Sequence, residues 1–406
     1  PQVNDPYVVN DKQHAKVYII GGCGEEPKGP FTLSGYIFKD EDGDKNYDSD
    51  EEGINGATVV LIEDGTRILR NPGPVHTSTG ADEGGTPRDG YFLFQDVPPG
   101  DYEITVSKKG YLTRKEPLAH SSNDVSKDID LIPVKRQDRI ITGWIWNPKY
   151  QDGKNQFSAH KQLINEISID WYEPNTDGSI LTKSSENDRE KFLRESHEDS
   201  ILVLPTIGII GADELVKNPT AVKTNVQLLE SLIVVNGYDG IDIDYEFNQG
   251  NNKKDFADFC RLLYNGDLTK NIFGLRHLNK KLSVTVCPTY ADKPIGYPGD
   301  NYDYYKISQS CDELRIMLYS QPLLWVDCHG FSIDRVLNFA VEKGVSRDKL
   351  VPAICTYGRI FQRASDECAD PKNDIDNIKV KTSYWESQFP SYQNEIPWFV
   401  SGEDSI

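Results

Sequence analysis

Asp242, Asp244 and Glu246 stand at two-residue spacing, with Ile241, Ile243 and Tyr245 between and beside them. In a β-strand, alternate side chains leave opposite faces, so the spacing predicts three acids on one face and three apolar groups on the other. Like charges that close disfavour each other's ionised forms. A core strand has no structural use for that cost. Glycan cleavage does, because one carboxyl must stay protonated as an acid while its neighbour stabilises developing charge. The competing readings are acids that pair with inward cations and acids that bind a metal. Arg315, with the same parity as Met317 and Tyr319 on a later apolar run, is the first such cation to consider.

A second set of acids lies at 40–51. Asp40, Asp42, Asp44, Asp48 and Glu51 occupy the first, third, fifth, ninth and twelfth places of a loop, and Asn46 offers its backbone carbonyl at the seventh. That is the spacing of an EF-hand-like calcium loop, which gathers hard oxygens. Lys45 stands where the turn usually takes glycine, and left-handed geometry costs a non-glycine residue about 1–2 kcal/mol. Modest affinity is the expectation. A merely solvated acidic turn is the alternative.

The elements that must position these groups divide the chain in two. Over 31–134, short runs at 34–38, 57–63, 91–94 and 102–107 alternate apolar and polar residues between Gly- and Pro-rich turns. From 138 onward, apolar runs at 140–146, 164–171, 201–207, 240–245, 282–287, 314–319 and 350–355 alternate with amphipathic stretches at 187–197, 221–235, 254–264 and 333–343. Strand and helix in alternation predict parallel βα units. The length suits an eight-stranded barrel, for which ~250 residues is typical. The expected architecture is α/β: a (β/α)8 TIM barrel over 138–406, preceded by a small all-β Ig-like sandwich over 31–134, with 1–30 as an N-terminal extension. An eighth strand is hard to find, and 395–400 is the best candidate. Otherwise the sequence stops short of closure.

The run Asp239-Gly240-Ile241-Asp242-Ile243-Asp244-Tyr245-Glu246 resembles the Asp-Gly-x-Asp-x-Asp-x-Glu signature of glycoside hydrolase family 18, which includes chitinases and endo-β-N-acetylglucosaminidases. Arg315–Tyr319 is similar to that family's Met-x-Tyr strand, and 350–360 to the strand before its Tyr-Gly-Arg loop. Trp171-Tyr172-Glu173 followed by Asp177-Gly178 resembles the branch of bacterial spore-cortex and germination hydrolases. The resemblance, covering roughly 138–365, implies retaining hydrolysis in which the substrate's own 2-acetamido group is the nucleophile. Glu246 would be the general acid, Asp244 would hold the acetamido group, Asp242 would share a proton with Asp244, and Tyr319 would donate to the acetamido oxygen. Asp239, Met317, Trp144, Tyr172 and Trp398 form the candidate substrate-binding set. Of these, Asp239 breaks the strand parity and reads as structural, and for each aromatic alone core packing is the commoner fate. Ser320 and Gln321 follow Tyr319 where many chitinases have Asp. This departure leaves chitin, N-glycan and peptidoglycan substrates open, all requiring N-acetylglucosamine. A barrel that binds glycans without cutting them is the alternative.

The sequence around the acidic loop, including Asp89-Gly90-Tyr91-Phe92-Leu93-Phe94 and Val97-Pro98-Pro99-Gly100-Asp101-Tyr102, resembles the calcium-binding B-type repeats of bacterial surface adhesins. That resemblance implies a structural Ca2+, no cofactor in catalysis, and an extracellular or cell-surface location. A net charge of −20 argues against nucleic acid or anionic membrane as partner and suits a neutral glycan. There is no apolar run of bilayer length. The chain opens at Pro1 rather than Met and so reads as processed or trimmed. Ile20-Gly21-Gly22-Cys23 resembles a lipoprotein box, but the apolar stretch before it is too short. Cys287 and Cys355, in strand-like runs, are expected to be buried thiols. A disulfide among Cys311, Cys328 and Cys368 stays open.

Overall fold

The computed structural model describes residues 31–48, 50–63, 67–70, 89–118, 123–134, 140–147, 150–248, 251–290, 298–318 and 333–354. Its N-terminal unit consists of two sheets. In one, Phe31–Lys39 pairs antiparallel with Glu52–Gly53 and Tyr91–Val97, and parallel with Val125–Ser126 and Ile129–Asp130. In the other, Arg67–Arg70, Thr58–Glu63, Tyr102–Ser107 and Arg114–Leu118 are antiparallel neighbours in that order. Alternating residues from both sheets, among them Leu33, Phe92, Leu61 and Ile104, close on one shared core. The strand Thr58–Glu63 is apolar on both faces. Val59 and Leu61 enter that core, while Val60 and Ile62 enter the core of the second unit.

The second unit is an arc of seven parallel strands in chain order: Thr142–Ile145, Glu166–Pro174, Thr206–Ile210, Gly240–Glu246, Lys281–Val286, Glu313–Met317 and Leu350–Ala353. They follow the βα alternation expected of a (β/α)8 barrel. The suggested closing strand at 395–400, with Trp398, lies outside the described residues. Helices Glu186–Glu198, Pro219–Asn236, Lys253–Asn265 and Ile333–Glu342 return the chain between strands. The helix before the acid-bearing strand has strong local punctuation. Asn218 caps it by accepting from the amides of Thr220 and Ala221, Pro219 opens it, and Gly237 at φ 73° ends it. Among the described residues, no helix is long and apolar enough to cross a membrane.

The sandwich docks beneath the barrel, on the end where the strands begin. Ser107 Oγ donates to the Leu278 carbonyl (2.7 Å), Thr58 Oγ1 to that of His277 (3.0 Å), and Lys115 Nζ to that of Val235 (2.9 Å). Asn279 Nδ2 returns a bond to the Gly56 carbonyl (3.0 Å). Asp239 is the keystone. Its carboxylate accepts from Thr113 N of the sandwich (2.8 Å) and Val203 N of the barrel (2.8 Å), and meets His197 Nε2 at 2.8 Å. Burial opposes its charge, but His197 and Lys280 outweigh burial and hold its pKa below the usual value. A depressed carboxyl stabilises the fold above its unfolded pKa, and that contribution fades as pH falls through the folded value. Asp239→Asn is therefore expected to cost about 3 kcal/mol at pH 7, read by urea unfolding. The cost should shrink on acidification; a pH-independent loss would show that the charge is irrelevant.

Candidate active site

Parity on the fourth barrel strand is as its spacing demands. Ile241, Ile243 and Tyr245 are wholly buried against the helices, where the Tyr245 hydroxyl donates to Asn225 Oδ1 (2.8 Å) and its ring meets Phe259 at 5.3 Å. The acids take the other face, toward the barrel interior. They differ sharply in surroundings.

Asp242 is the deepest, fully buried and well supplied with donors. Thr206 Oγ1 donates to its Oδ2 (3.0 Å), Thr285 Oγ1 to its Oδ1 (3.0 Å), and Arg315 Nη1 lies 3.5 Å from Oδ1. Trp144 Nε1 in turn donates to Thr206 Oγ1 (2.8 Å), so an aromatic 43% exposed on the edge strand, in register with Ser168, is tied to the deepest acid. Asp244, one step outward, has no partner for its Oδ1 among the described residues. Burial pushes its pKa well up, followed by the charges of Asp242, Glu246 and Asp170, with Lys183 working the other way. Lys183 itself is held by Asp170 at 2.9 Å. Glu246 ends the strand, half-buried, and burial raises its pKa above the ordinary glutamate value. The two outer acids, Asp244 and Glu246, are thus both raised, above an Asp242 that accepts from two hydroxyls. Carboxyls so perturbed suit proton transfer.

Below the ladder, Arg315 joins Glu166, Glu313 and Ser168, and Lys281 bridges Glu166 and Glu313. The inward cation considered from parity is present, but it serves Asp242 and the floor and does not reach Asp244 or Glu246 among the described bonds. The three ladder acids do not form a metal-type cluster either. Among the described residues, the one convergent acidic group is Asp40, Asp42 and Asp44.

Two members of the expected substrate-binding set fall elsewhere. Tyr172 is 1% exposed, its hydroxyl 2.8 Å from that of Tyr238 and its ring among the core aromatics. A register shift between Asp170 and Tyr172 breaks the alternation there and turns the ring away from the barrel mouth. Asp239 lies at the opposite end of its strand from Glu246, committed to the sandwich junction. Met317 is nearly covered (4%) and packs in the barrel core. Trp144 is accessible on the edge strand, level with Ser168. Tyr319 and Trp398 lie outside the described residues. Sequence reasoning overlooked Thr206, Thr285, Asp170 and Lys183, and read Cys287 only as the buried thiol that it is. The two-residue rule, applied to the strands on either side, would have flagged Thr285 and Cys287.

In the sandwich, Asp40, Asp42 and Asp44 each bring an oxygen within 4.8 Å of the others. Backbone amides shape the loop: Gly43 N and Lys45 N bond Asp40, Asp44 N bonds Asp42, and Asn46 N bonds Asp44. Lys45 takes φ 65°, the left-handed turn that the sixth position requires. Asp48 is pushed up by burial and then by the charges of Asp44 and Asp42. Glu51 faces inward onto the amides of Glu41 and Asp48. Three converging carboxylates crowded by a fourth fit a hard cation.

Comparison with known proteins separates the same two units. A model of SdrD B-like domains matches residues 31–156. Serine-aspartate repeat-containing protein D of Staphylococcus aureus (strain MW2) is 25% identical over 182 residues, 41% of this chain and 12% of that protein. Serine-aspartate repeat-containing protein I of Staphylococcus saprophyticus is 34% identical over 93 residues, 23% of this chain and 4% of that one. The chain thus spans only a small part of either relative. Among solved structures, the C-terminal domain of a protein assigned as a chitinase in Desulfitobacterium hafniense DCB-2 shares the fold. Its TM-score is 0.50 at 22% identity, over 63% of this chain and 77% of that one. The model of glycosyl hydrolases family 18 matches residues 140–399, which take in the whole acid ladder and most of the chain. The chain belongs to the glycosyl hydrolases of family 18.

Proposed function

We propose that this protein is a glycosidase that hydrolyses β-linked N-acetylglucosamine glycans of the chitin, N-glycan or peptidoglycan type, with retention of configuration and with the substrate's acetamido group as nucleophile. One observation carries the reading: the acid ladder, in which burial raises the pKa of Glu246 at the end of the strand and Asp244 presents an oxygen with no partner among the described residues beneath it. Glu246 gives its proton to the glycosidic oxygen as that bond breaks. The acetamido oxygen closes on the anomeric carbon, forming an oxazolinium ion. Asp244, with its proton, bonds the acetamido group and stabilises the cation as the proton moves toward Asp242. Water, deprotonated by Glu246, then opens the ring and restores the acid. Trp144 is assigned a flat face for a pyranose, and Tyr319 the donor to the acetamido oxygen. Side-by-side incubation with chitin oligomers, an N-glycan and peptidoglycan tests the reading. Cleavage of at least one, with the β-anomer released, supports it; retention without cleavage of any would make the barrel a lectin.

The N-terminal unit is read as an Ig-like module holding a structural calcium ion at Asp40, Asp42, Asp44, Asn46, Asp48 and Glu51. The ion would neutralise the crowded carboxylates and stiffen the loop, remote from the reaction. The likeness to serine-aspartate repeat proteins supports an extracellular or cell-surface setting. Chelation is expected to lower the melting temperature by several degrees, with recovery on adding Ca2+, while turnover below the transition stays unchanged. A melting curve indifferent to chelator would dismiss the site.

A further inference from the structure

Cys287 is a buried thiol that the reaction scheme leaves unused, yet it touches the proton donor. It follows the fifth barrel strand, Lys281–Val286, and shares the inward parity of Thr285, which bonds Asp242. One step outward, Cys287 Sγ lies 3.7 Å from Glu246 Oε2. Among the described residues, it is the only side chain bonded to the Glu246 carboxyl. Its position is fixed from two sides. The Tyr304 hydroxyl donates to the Cys287 carbonyl (2.7 Å), and the Tyr302 hydroxyl lies 3.9 Å from Sγ. The Tyr302 hydroxyl, which also donates to the Tyr245 carbonyl (3.0 Å), is the donor in its contact with sulfur. The thiol's own proton is therefore directed at Glu246 Oε2. Burial, then the nearby Glu246 charge, pushes its pKa up to about 12, so it stays S–H at any working pH and is no nucleophile.

We propose that Cys287 is a positioning residue for proton delivery: its S–H, donated to Glu246 Oε2, leaves Oε1 as the oxygen that carries the proton to the substrate. When Glu246 loses that proton, the same S–H steadies the carboxylate, and the thiol proton never leaves sulfur. A donor that strengthens as negative charge develops favours the ionised product of the acid step. The proposal rests on Glu246 being the acid, so its test must read Glu246 without turnover as well as with it.

The test is an isotope-edited infrared titration of the Glu246 carboxyl in wild type, Cys287→Ala and Cys287→Ser, beside the pH profile on an aryl β-glycoside of di-N-acetylchitobiose. Removing the donor should move the Glu246 titration, and the alkaline limb of kcat/KM, to higher pH. kcat should fall about two- to tenfold, with KM nearly unchanged, and serine should restore most of both. A Glu246 titration in Cys287→Ala that coincides with wild type overturns the proposal, whatever the turnover. Hydrolysis persisting in Glu246→Gln is a separate result that removes the acid role, and the proposal falls with it. Melting curves of both variants establish that they are folded, and the serine variant keeps the test decisive should alanine loosen the pocket.

Discussion

Glu246→Gln is expected to lower kcat by a factor of about 10²–10⁴, the range contributed by a positioned general acid, while the fold and glycan binding persist. Glutamine keeps the shape of the side chain and its contact with Cys287, but it has no proton acidic enough for a glycosidic oxygen. Stability should not suffer. Burial is what raises the Glu246 pKa, so its ionised form is already disfavoured in the folded protein, and a neutral isostere removes that conflict. In the proposed reaction turnover depends on the protonated form, so kcat/KM should fall as pH rises through a value above that of an ordinary glutamate. Hydrolysis of a chromogenic chito-oligosaccharide gives the rate and calorimetry with the same sugar gives the binding. Turnover at the wild-type rate in the glutamine variant would remove Glu246 from the acid role.

The acid strand was readable because its information is local. A period of two needs no partner strand to declare itself, and Tyr245 packing on Phe259 while Asp244 faces inward is the direct consequence. The surroundings of the acids were not readable. Thr206, Thr285 and Arg315 reach Asp242 from three other strands, and the stagger between parallel strands decides which residues share a layer. Tyr172 failed for a related reason, because one irregularity after Asp170 reverses the face taken by the residues beyond it. The docking of the two units did leave a trace. The unbroken apolar run from Val59 to Ile62 is typical of a strand buried on both faces, although reading 57–63 as simple alternation conceals it. The helix Tyr150–His160 was missed because none of its residues is buried, so no amphipathic stripe marks it. The calcium-type loop was legible for the same reason as the acid strand, since its spacing is self-contained. Its Lys45 takes the left-handed conformation despite having a side chain.

Arg315→Met is expected to destabilise the protein by about 3–5 kcal/mol at neutral pH. The barrel floor sets two cations, Lys281 and Arg315, against three carboxylates, Glu166, Glu313 and Asp242. Burial pushes Glu166 up, whereas at Glu313 burial is outweighed by Lys281 and Arg315, which hold it down. Methionine fills similar volume but leaves a single cation to serve all three acids. The pKa values of Glu166 and Glu313 then rise in the folded state, so the variant is most stable where they are protonated and loses stability as pH rises through those values. Urea unfolding should therefore show a deficit that narrows on acidification. Adding Glu313→Gln, which leaves Lys281 paired with Glu166, should recover much of it, because one fewer buried charge remains uncompensated. In the proposed reaction the proton of Asp244 moves toward Asp242, and Arg315 is the cation beside Asp242. If that cation assists the transfer, turnover should stay depressed even in the doubly substituted, restabilised protein. Full recovery of both stability and turnover would mean that the floor only holds the barrel together and does not set the proton balance of the ladder above it.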